Sequence, residues 1–274
     1  MRNFSGKTAI VTGGASGIGR ALCRELAKAG ADVTAADIHE AGVQEVAEGI
    51  RKAGGRARAV KLDVTDEPAV RGLVEKTAAD QGRLDYMFNN AGIGIGGEVQ
   101  DMSLDHWRRI VDVNLWGVVY GTLAAYRVMI RQGSGHIVNT ASSAGLLPAP
   151  LLTAYGMTKH AVVGLSAGLR VEGAGKGVKV SVVCPGFIDT AIFDSTTYVN
   201  TDKERTWSLK PRWIPMMPAE ACARVILRGV SKNKGIIPVQ APAHVFWWLR
   251  RIHPAIVDRL MESAVQRYRC QART

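Results

Sequence analysis

Short β-branched runs and longer amphipathic stretches alternate along most of the chain. Thr8–Thr12 (TAIVT), 31–37, 58–62, 84–88, 136–140 and 178–183 have the length of buried strands and are bounded by glycine, proline or polar turns. Between them, apolar residues recur every three or four positions over 18–29, 40–53, Glu67–Gln81, 104–131 and Thr153–Gly173, the period of helices with one buried face. Gly30 caps the first of these helices and Gly54-Gly55 stops the second. Pro68 falls in the first turn of the third, where a missing N–H is tolerated. A helix over 219–230 and a short strand at 236–239 close the series. Strand and helix in regular alternation is what successive βαβ units require, so the pattern predicts an α/β fold, a doubly wound parallel sheet with helices on both faces. Periodicity fails between 187 and 218, and a gap of that length inside a compact domain predicts a lid or mobile loop over a site.

Composition sets the class. The 274 residues suit one α/β domain over 1–240, with 241–274 as a helical, basic extension of the same domain. Hydrophobic residues at 47% and charged residues at 22% exclude disordered and collagen-like chains. No apolar run approaches the ~18 residues that span a bilayer, and Lys7 follows Met1-Arg2-Asn3-Phe4 before any signal-peptide core, so a soluble cytoplasmic protein is expected. Cys23, Cys184, Cys222 and Cys270 are scattered without a C-x-x-C pair, which suggests free thiols rather than a metal site or a disulfide framework.

Charge is unevenly spread. Of a net +11, residues 200–274 hold 14 Lys and Arg against 5 Asp and Glu, while the first 199 hold 21 against 19. Such a tail could attract a membrane surface, a nucleic acid or an acidic substrate, or form a solvated surface. No nucleic-acid recognition module accompanies it, and no nucleic-acid partner is expected. Over 243–269, Phe246, Trp247, Trp248 and Leu249 interleave with Arg250, Arg251 and Arg259, and Pro254 predicts a break. That pattern fits a helix lying on anionic lipid, a peripheral membrane contact; it also fits packing on the subunit or on an oligomer partner.

Candidate chemistry starts where the first strand meets the first helix, at Thr12-Gly13-Gly14-Ala15-Ser16-Gly17-Ile18-Gly19. Glycines there let the backbone approach a pyrophosphate, whose charge is met by free N–H groups and the helix dipole. Asp37 ends the second strand about 20 residues on, where a carboxylate accepts hydrogen bonds from an adenosine ribose. It would repel a 2′-phosphate, and no cation occupies position 16 or 38, so NAD is favoured over NADP. Tyr155 and Lys159 are four apart on one helix, which places phenol and ammonium on the same face. A nearby cation lowers the phenol pKa from about 10 and makes Tyr155 a usable acid or base; the same pair also occurs as a core tyrosine beside a surface lysine. Asn89-Asn90-Ala91-Gly92, Asn114, Ser142-Ser143 and Pro185-Gly186 follow successive elements, and strand C-terminal ends line one edge of a doubly wound sheet.

In this order the motifs resemble the short-chain dehydrogenase/reductase family, in its compact single-domain branch, whose first turn has the form T-G-x-x-x-G-x-G. The likeness runs over about residues 5–240. The longer, epimerase-like branch spaces its glycines differently and is disfavoured. The resemblance implies a Rossmann sheet and an NAD-dependent oxidoreductase. Tyr155 would be the acid/base, Lys159 would hold the nicotinamide ribose, and Ser142 would hydrogen-bond the substrate oxygen, with Ser143 structural. Asn114 would hold a water that links the lysine to solvent. For the cofactor, the resemblance implies Gly13, Ser16, Gly17, Ile18 and Gly19 at the turn and Asp63 and Val64 at the adenine. Asn90, Ala91 and Gly92 would lie beneath the adenosine, and Pro185, Gly186, Ile188 and Thr190 would hold the carboxamide. It also implies a homodimer or homotetramer, with Ala154, Ala161, Val162, Leu165 and Leu169 as a face suited equally to an interface or to sheet packing.

Apolar residues dominate what would flank the nicotinamide: Leu146, Leu147, Pro148, Leu151 and Leu152 after the serine, then Phe187, Ile192, Phe193, Tyr198, Trp207, Trp213, Met216 and Met217. Such a lining suits a small hydrophobic alcohol or ketone of steroid, terpenoid or acyl-chain type, although any one of these side chains could instead pack the lid. The rival reading is a catalytically silent NAD-binding regulatory protein, which would need no tyrosine–lysine pair.

Overall fold

A computed structural model describes residues 4–207, 209–211 and 213–271. Seven strands form the main sheet: β1 (Thr8–Thr12), β2 (Asp32–Asp37), β3 (Arg56–Lys61), β4 (Tyr86–Asn89), β5 (Gly135–Thr140), β6 (Val178–Cys184) and β7 (Ile236–Pro238). All pair in parallel, in the order β7-β6-β5-β4-β1-β2-β3. Every residue of β1 is buried, as a strand covered on both faces demands, whereas edge strand β3 turns Arg56, Arg58 and Lys61 to solvent.

One face carries α1 (Gly17–Lys28), α2 (Glu40–Lys52) and, from late in the chain, Ala219–Ser231, which pack Leu22, Leu26, Val43, Val46 and Ile226 against β1 and β2. The other carries α3 (Glu67–Gln81), capped by the Asp66 side chain at its start and left-handed Gly82 at its end, with the helices that follow β4 and β5. Strand order reverses between β1 and β4, so the crevice beyond their C-terminal ends is the natural ligand site of this topology.

Two stretches differ from the sequence expectation. The 104–131 stretch is not a uniform helix: α4 (Leu104–Val111) passes through a π turn, Asp112–Trp116, into α5 (Gly117–Gln132). Asn114 lies at the centre of this turn, and its amide bonds to a neighbouring segment. After α6 (Thr153–Gly173), the 187–218 stretch is also ordered. Ile188–Asp189 pairs with Met217–Pro218, Thr197–Tyr198 pairs with Ile95–Gly96, and Ile192–Ser195 and Lys203–Trp207 form helical turns.

Beyond α7, the Ala219–Ser231 helix, come α8 (Ala241–Ile252) and α9 (Pro254–Gln271), with Pro254 opening the second of the pair at a position proline tolerates. These two fold back over the C-terminal edge of the sheet. Val257 is fully buried, with Phe246, Trp247 and Met261 packed on Leu146, Leu147 and Val162. Tyr268 shares a 2.9 Å hydrogen bond with Thr201, and Arg269 clamps Glu98 with bonds of 3.2 and 2.8 Å. The extension therefore packs on its own subunit. Ala154 and Val162 are likewise interior, whereas Ala161, Leu165 and Leu169 are half-buried, the two leucines against core clusters; Leu123, Ile130, Met157 and Val171 are the large apolar residues that α5 and α6 leave exposed. Cys23, Cys184 and Cys222 are free and buried, and the Cys270 side chain lies outside the described residues. Among the described residues no helix is long and apolar enough to cross a membrane.

Candidate active site

The β1 and β4 ends are tied together by one hydroxyl. Thr12 Oγ1 accepts from the N–H groups of Asn90 and Ala91 at 3.0 and 3.1 Å, and Asn90 Nδ2 returns a bond to the Thr12 carbonyl at 3.1 Å. This tie brings the glycine turn so close to Ala91 that no side chain fits between them. Gly13 has φ +66°, and a Cβ there would lie 2.9 Å from Ala91 Cα. A Cβ on Gly19 would overlap the Gly13 carbonyl oxygen. Ser16 makes no side-chain cap, so the first N–H groups of α1 are available to an anion.

Asp37 closes this end. Its carboxylate accepts from the Ala15 N–H at 3.1 Å and the His39 N–H at 3.0 Å, which fixes it at the tip of β2 beside exposed Ile38. Asp63, just after β3, accepts from the backbone and hydroxyl of Thr65 and stands beside Val64.

The opposite wall comes from β5, β6 and α6. Ser142 accepts from the Ala144 N–H at 3.1 Å and donates to the Pro185 carbonyl at 3.5 Å, which locks the β5 and β6 exits together. Half-buried Tyr155 stands beside it in the cavity wall. Lys159 is 3% exposed, donates to the Thr140 carbonyl at 3.1 Å and lies 5.5 Å from the centre of the Tyr155 ring. Burial pushes the Tyr155 phenol above its ordinary value, with the Ser142 hydroxyl pulling the other way. Burial also draws Lys159 down to about 8. The helical spacing alone predicts a lowered phenol pKa; here desolvation prevails, because the amine is directed at Thr140.

Asn114 lies behind this wall, fully buried. Its amide accepts from the Ile93 N–H at 2.8 Å and donates to the Ile93 carbonyl at 2.9 Å, which holds the 90–93 segment as a strand neighbour would. Gly92 separates it from the lysine: a Cβ there would come within 3.1 Å of Asn114 Oδ1 and 3.4 Å of Lys159 Nζ.

A cavity of about 1390 Å³ joins these parts. Of the residues singled out in the sequence, Gly13, Ser16, Gly17, Ile18, Asp37, Asp63, Val64, Asn90, Ala91 and Gly92 line one end. Ser142, Tyr155, Lys159, Pro185, Gly186, Ile188 and Thr190 line the middle. Gly19 and Asn114 do not reach it and act from behind. The far end is walled by Leu147, Pro148, Leu152, Phe187, Ile192, Phe193, Trp207 and Trp213; Tyr198, Met216 and Met217 do not line it, and Leu146 and Leu151 are buried outside it. Tyr198 instead braces the lid, accepting from Trp207 Nε1 at 2.7 Å and donating to the Phe193 carbonyl at 2.8 Å.

Several contributors carry no sequence motif. Gln240 accepts from the Phe187 N–H at 2.7 Å and donates to the Phe187 and Pro215 carbonyls, clamping the loop after β6 to the lid. Phe246, Leu260, Met261 and Tyr268 of the extension roof the apolar end, and Arg109 of α4 lines the cavity. For the roof, the interleaved aromatic residues were the available signal; for Gln240 there was none.

Comparison with known proteins agrees with this geometry. The family model described as short chain dehydrogenase matches residues 7–200. A Mycobacterium tuberculosis protein named as an oxidoreductase, SadH, is 34% identical over 271 residues, 98% of each chain, so the likeness includes the extension. A cyclohexanol dehydrogenase from an Acinetobacter species is 37% identical over 190 residues, 69% of this chain and 76% of that one. A solved short-chain dehydrogenase/reductase from Burkholderia phymatum, in complex with NAD, has a TM-score of 0.86 at 29% identity, covering 93% of this chain and 96% of that one. Solved relatives hold NAD in one case and NADP in another. The chain thus matches the family by sequence and by shape, and belongs to the short-chain dehydrogenase/reductase family of oxidoreductases.

Proposed function

We propose that the protein oxidises a hydrophobic secondary alcohol, or reduces the corresponding ketone, with NAD and with Tyr155 as the acid/base. The observation that carries this reading is the position of Ser142, Tyr155 and Lys159 midway along a cavity with a glycine cradle at one end and an aromatic lid at the other. A cavity of about 1390 Å³ exceeds the ~300–1,000 Å³ usual for one small ligand, which suits a dinucleotide and a second molecule together.

The residues fit a dinucleotide. The uncapped start of α1 and the side-chain-free surface of Gly13 receive a pyrophosphate, and the Asp37 carboxylate receives a ribose diol. Asp37 beside apolar Ile38 disfavours a 2′-phosphate and supports NAD over NADP. When bound, NAD supplies the hydride acceptor. Ser142 positions the substrate oxygen, and Tyr155 takes the hydroxyl proton as the carbon gives up its hydride. Lys159 spends one of its three N–H donors on Thr140 and keeps two for a ribose, and its charge favours the phenolate. Asn114 keeps the 90–93 segment against this machinery.

The lid supports a carbocyclic or longer apolar substrate, in keeping with the cyclohexanol dehydrogenase among the relatives. A silent dinucleotide sensor would gain nothing from burying an ammonium beside a phenol. For assembly, the exposed apolar residues of α5 and α6 are the surface we assign to a homodimer or homotetramer. The test follows NADH absorbance over a panel of cyclic and acyclic alcohols. Tyr155→Phe should bind NAD normally and lose about 10²–10⁴ in turnover, the usual worth of a positioned acid/base. A variant turning over at near the parental rate would remove Tyr155 from the chemistry.

A further inference from the structure

The outer face of the C-terminal helix pair is apolar where no other part of the described chain covers it. Val245, Trp248 and Ile252 fall at i, i+3 and i+7 of α8 with 63%, 50% and 79% exposure, and Ile256 and Leu260 continue the stripe past the Pro254 elbow at 42% and 52%. Basic groups flank it. Of the five arginines in 241–271, Arg269 is held by Glu98 and Arg267 lines the cavity, which leaves Arg250, Arg251 and Arg259 beside the stripe. Arg250 pairs with Asp258 at 3.6 Å. Arg251 lies over the rings of Trp247 and Trp248, at 5.4 and 5.9 Å, and exposed Arg259 forms no ion pair among the described residues. The same helices roof the cavity on their inner side. Leu260 lines the cavity and is exposed as well, as is Trp213 of the lid, so the outer stripe runs into the cavity mouth.

We infer that this elbow docks on an anionic phospholipid surface and opens the cavity toward the bilayer, so that a lipophilic alcohol enters from the membrane. Apolar side chains seat in the acyl boundary, and the arginines meet lipid phosphates. Charge argues for lipid over a second copy, because a twofold contact would set this basic patch against its own duplicate. Docking follows from the surface alone; only the entry of substrate rests on the proposed function.

Co-sedimentation of the full chain with phosphatidylcholine vesicles, with and without phosphatidylglycerol, tests the docking. The protein should pellet with the anionic vesicles and release as salt rises. A Val245→Ser, Trp248→Ser, Ile252→Ser variant, none of whose sites lines the cavity, should bind those vesicles about tenfold more weakly or worse, with unchanged NAD binding and unchanged mass by ultracentrifugation. Should that variant fail to fold, Arg251→Gln with Arg259→Gln leaves the stripe intact and should abolish the preference for anionic vesicles. Absence of pelleting on anionic vesicles overturns the proposal, as does a triple variant that loses assembly mass while keeping its vesicle binding. Neither result depends on which alcohol is turned over.

Discussion

Lys159 carries a charge that its buried position holds at a cost, and replacing it with methionine exposes that cost. Its amine is 3% exposed, has one hydrogen bond, to Thr140, and is drawn by burial from 10.5 down to about 8. Below pH 8 the lysine is charged in both the folded and unfolded chains, and the folded state bears the full penalty. Between about 8 and 10.5 the unfolded chain keeps the proton that the folded one has released, so stability rises with pH across that window. At about 1.4 kcal/mol per pKa unit, the penalty is roughly 3 kcal/mol. Lys159→Met removes it and forfeits a hydrogen bond worth about 1 kcal/mol. Without dinucleotide, the variant should therefore be more stable than the parent by about 2 kcal/mol near neutrality and less stable by about 1 kcal/mol above the window. Urea unfolding of both proteins at several pH values measures this, and the difference between them cancels the other titrating groups. A variant that is less stable near neutrality, or a difference that stays flat with pH, would refute a buried ammonium at this site.

Asp37→Ser should narrow the preference for NAD over NADP by about tenfold in kcat/KM, the scale of one removed like-charge contact; an unchanged ratio would place the discrimination elsewhere. Gly19→Ala drives a methyl into the Gly13 carbonyl, so it should cost about 1–3 kcal/mol in thermal unfolding and weaken dinucleotide binding in titration calorimetry. Glu98→Gln breaks the clamp on Arg269, a solvent-screened ion pair; the urea midpoint should barely move, while limited proteolysis within 254–271 should quicken.

Strand and helix periods are local properties of a chain, and this sequence alone determined the six leading strands, the helices between them and the parallel sheet they imply. The glycine turn, Asp37, Ser142, Tyr155 and Lys159 were legible for a related reason: each falls at a strand end or one helical turn from its partner, and the topology carries strand ends to one edge. Contacts between distant segments had to come from the tertiary structure. The Asn114 amide in the π turn meets Ile93, and Gln240 reaches Phe187, 53 residues away. The extension could lie on lipid or fold back; only its packing on Leu146, Leu147 and Val162 made it the roof of its own cavity. Spacing placed the lysine beside the phenol, but desolvation is set by every surrounding atom, and that decided which way the phenol shifted.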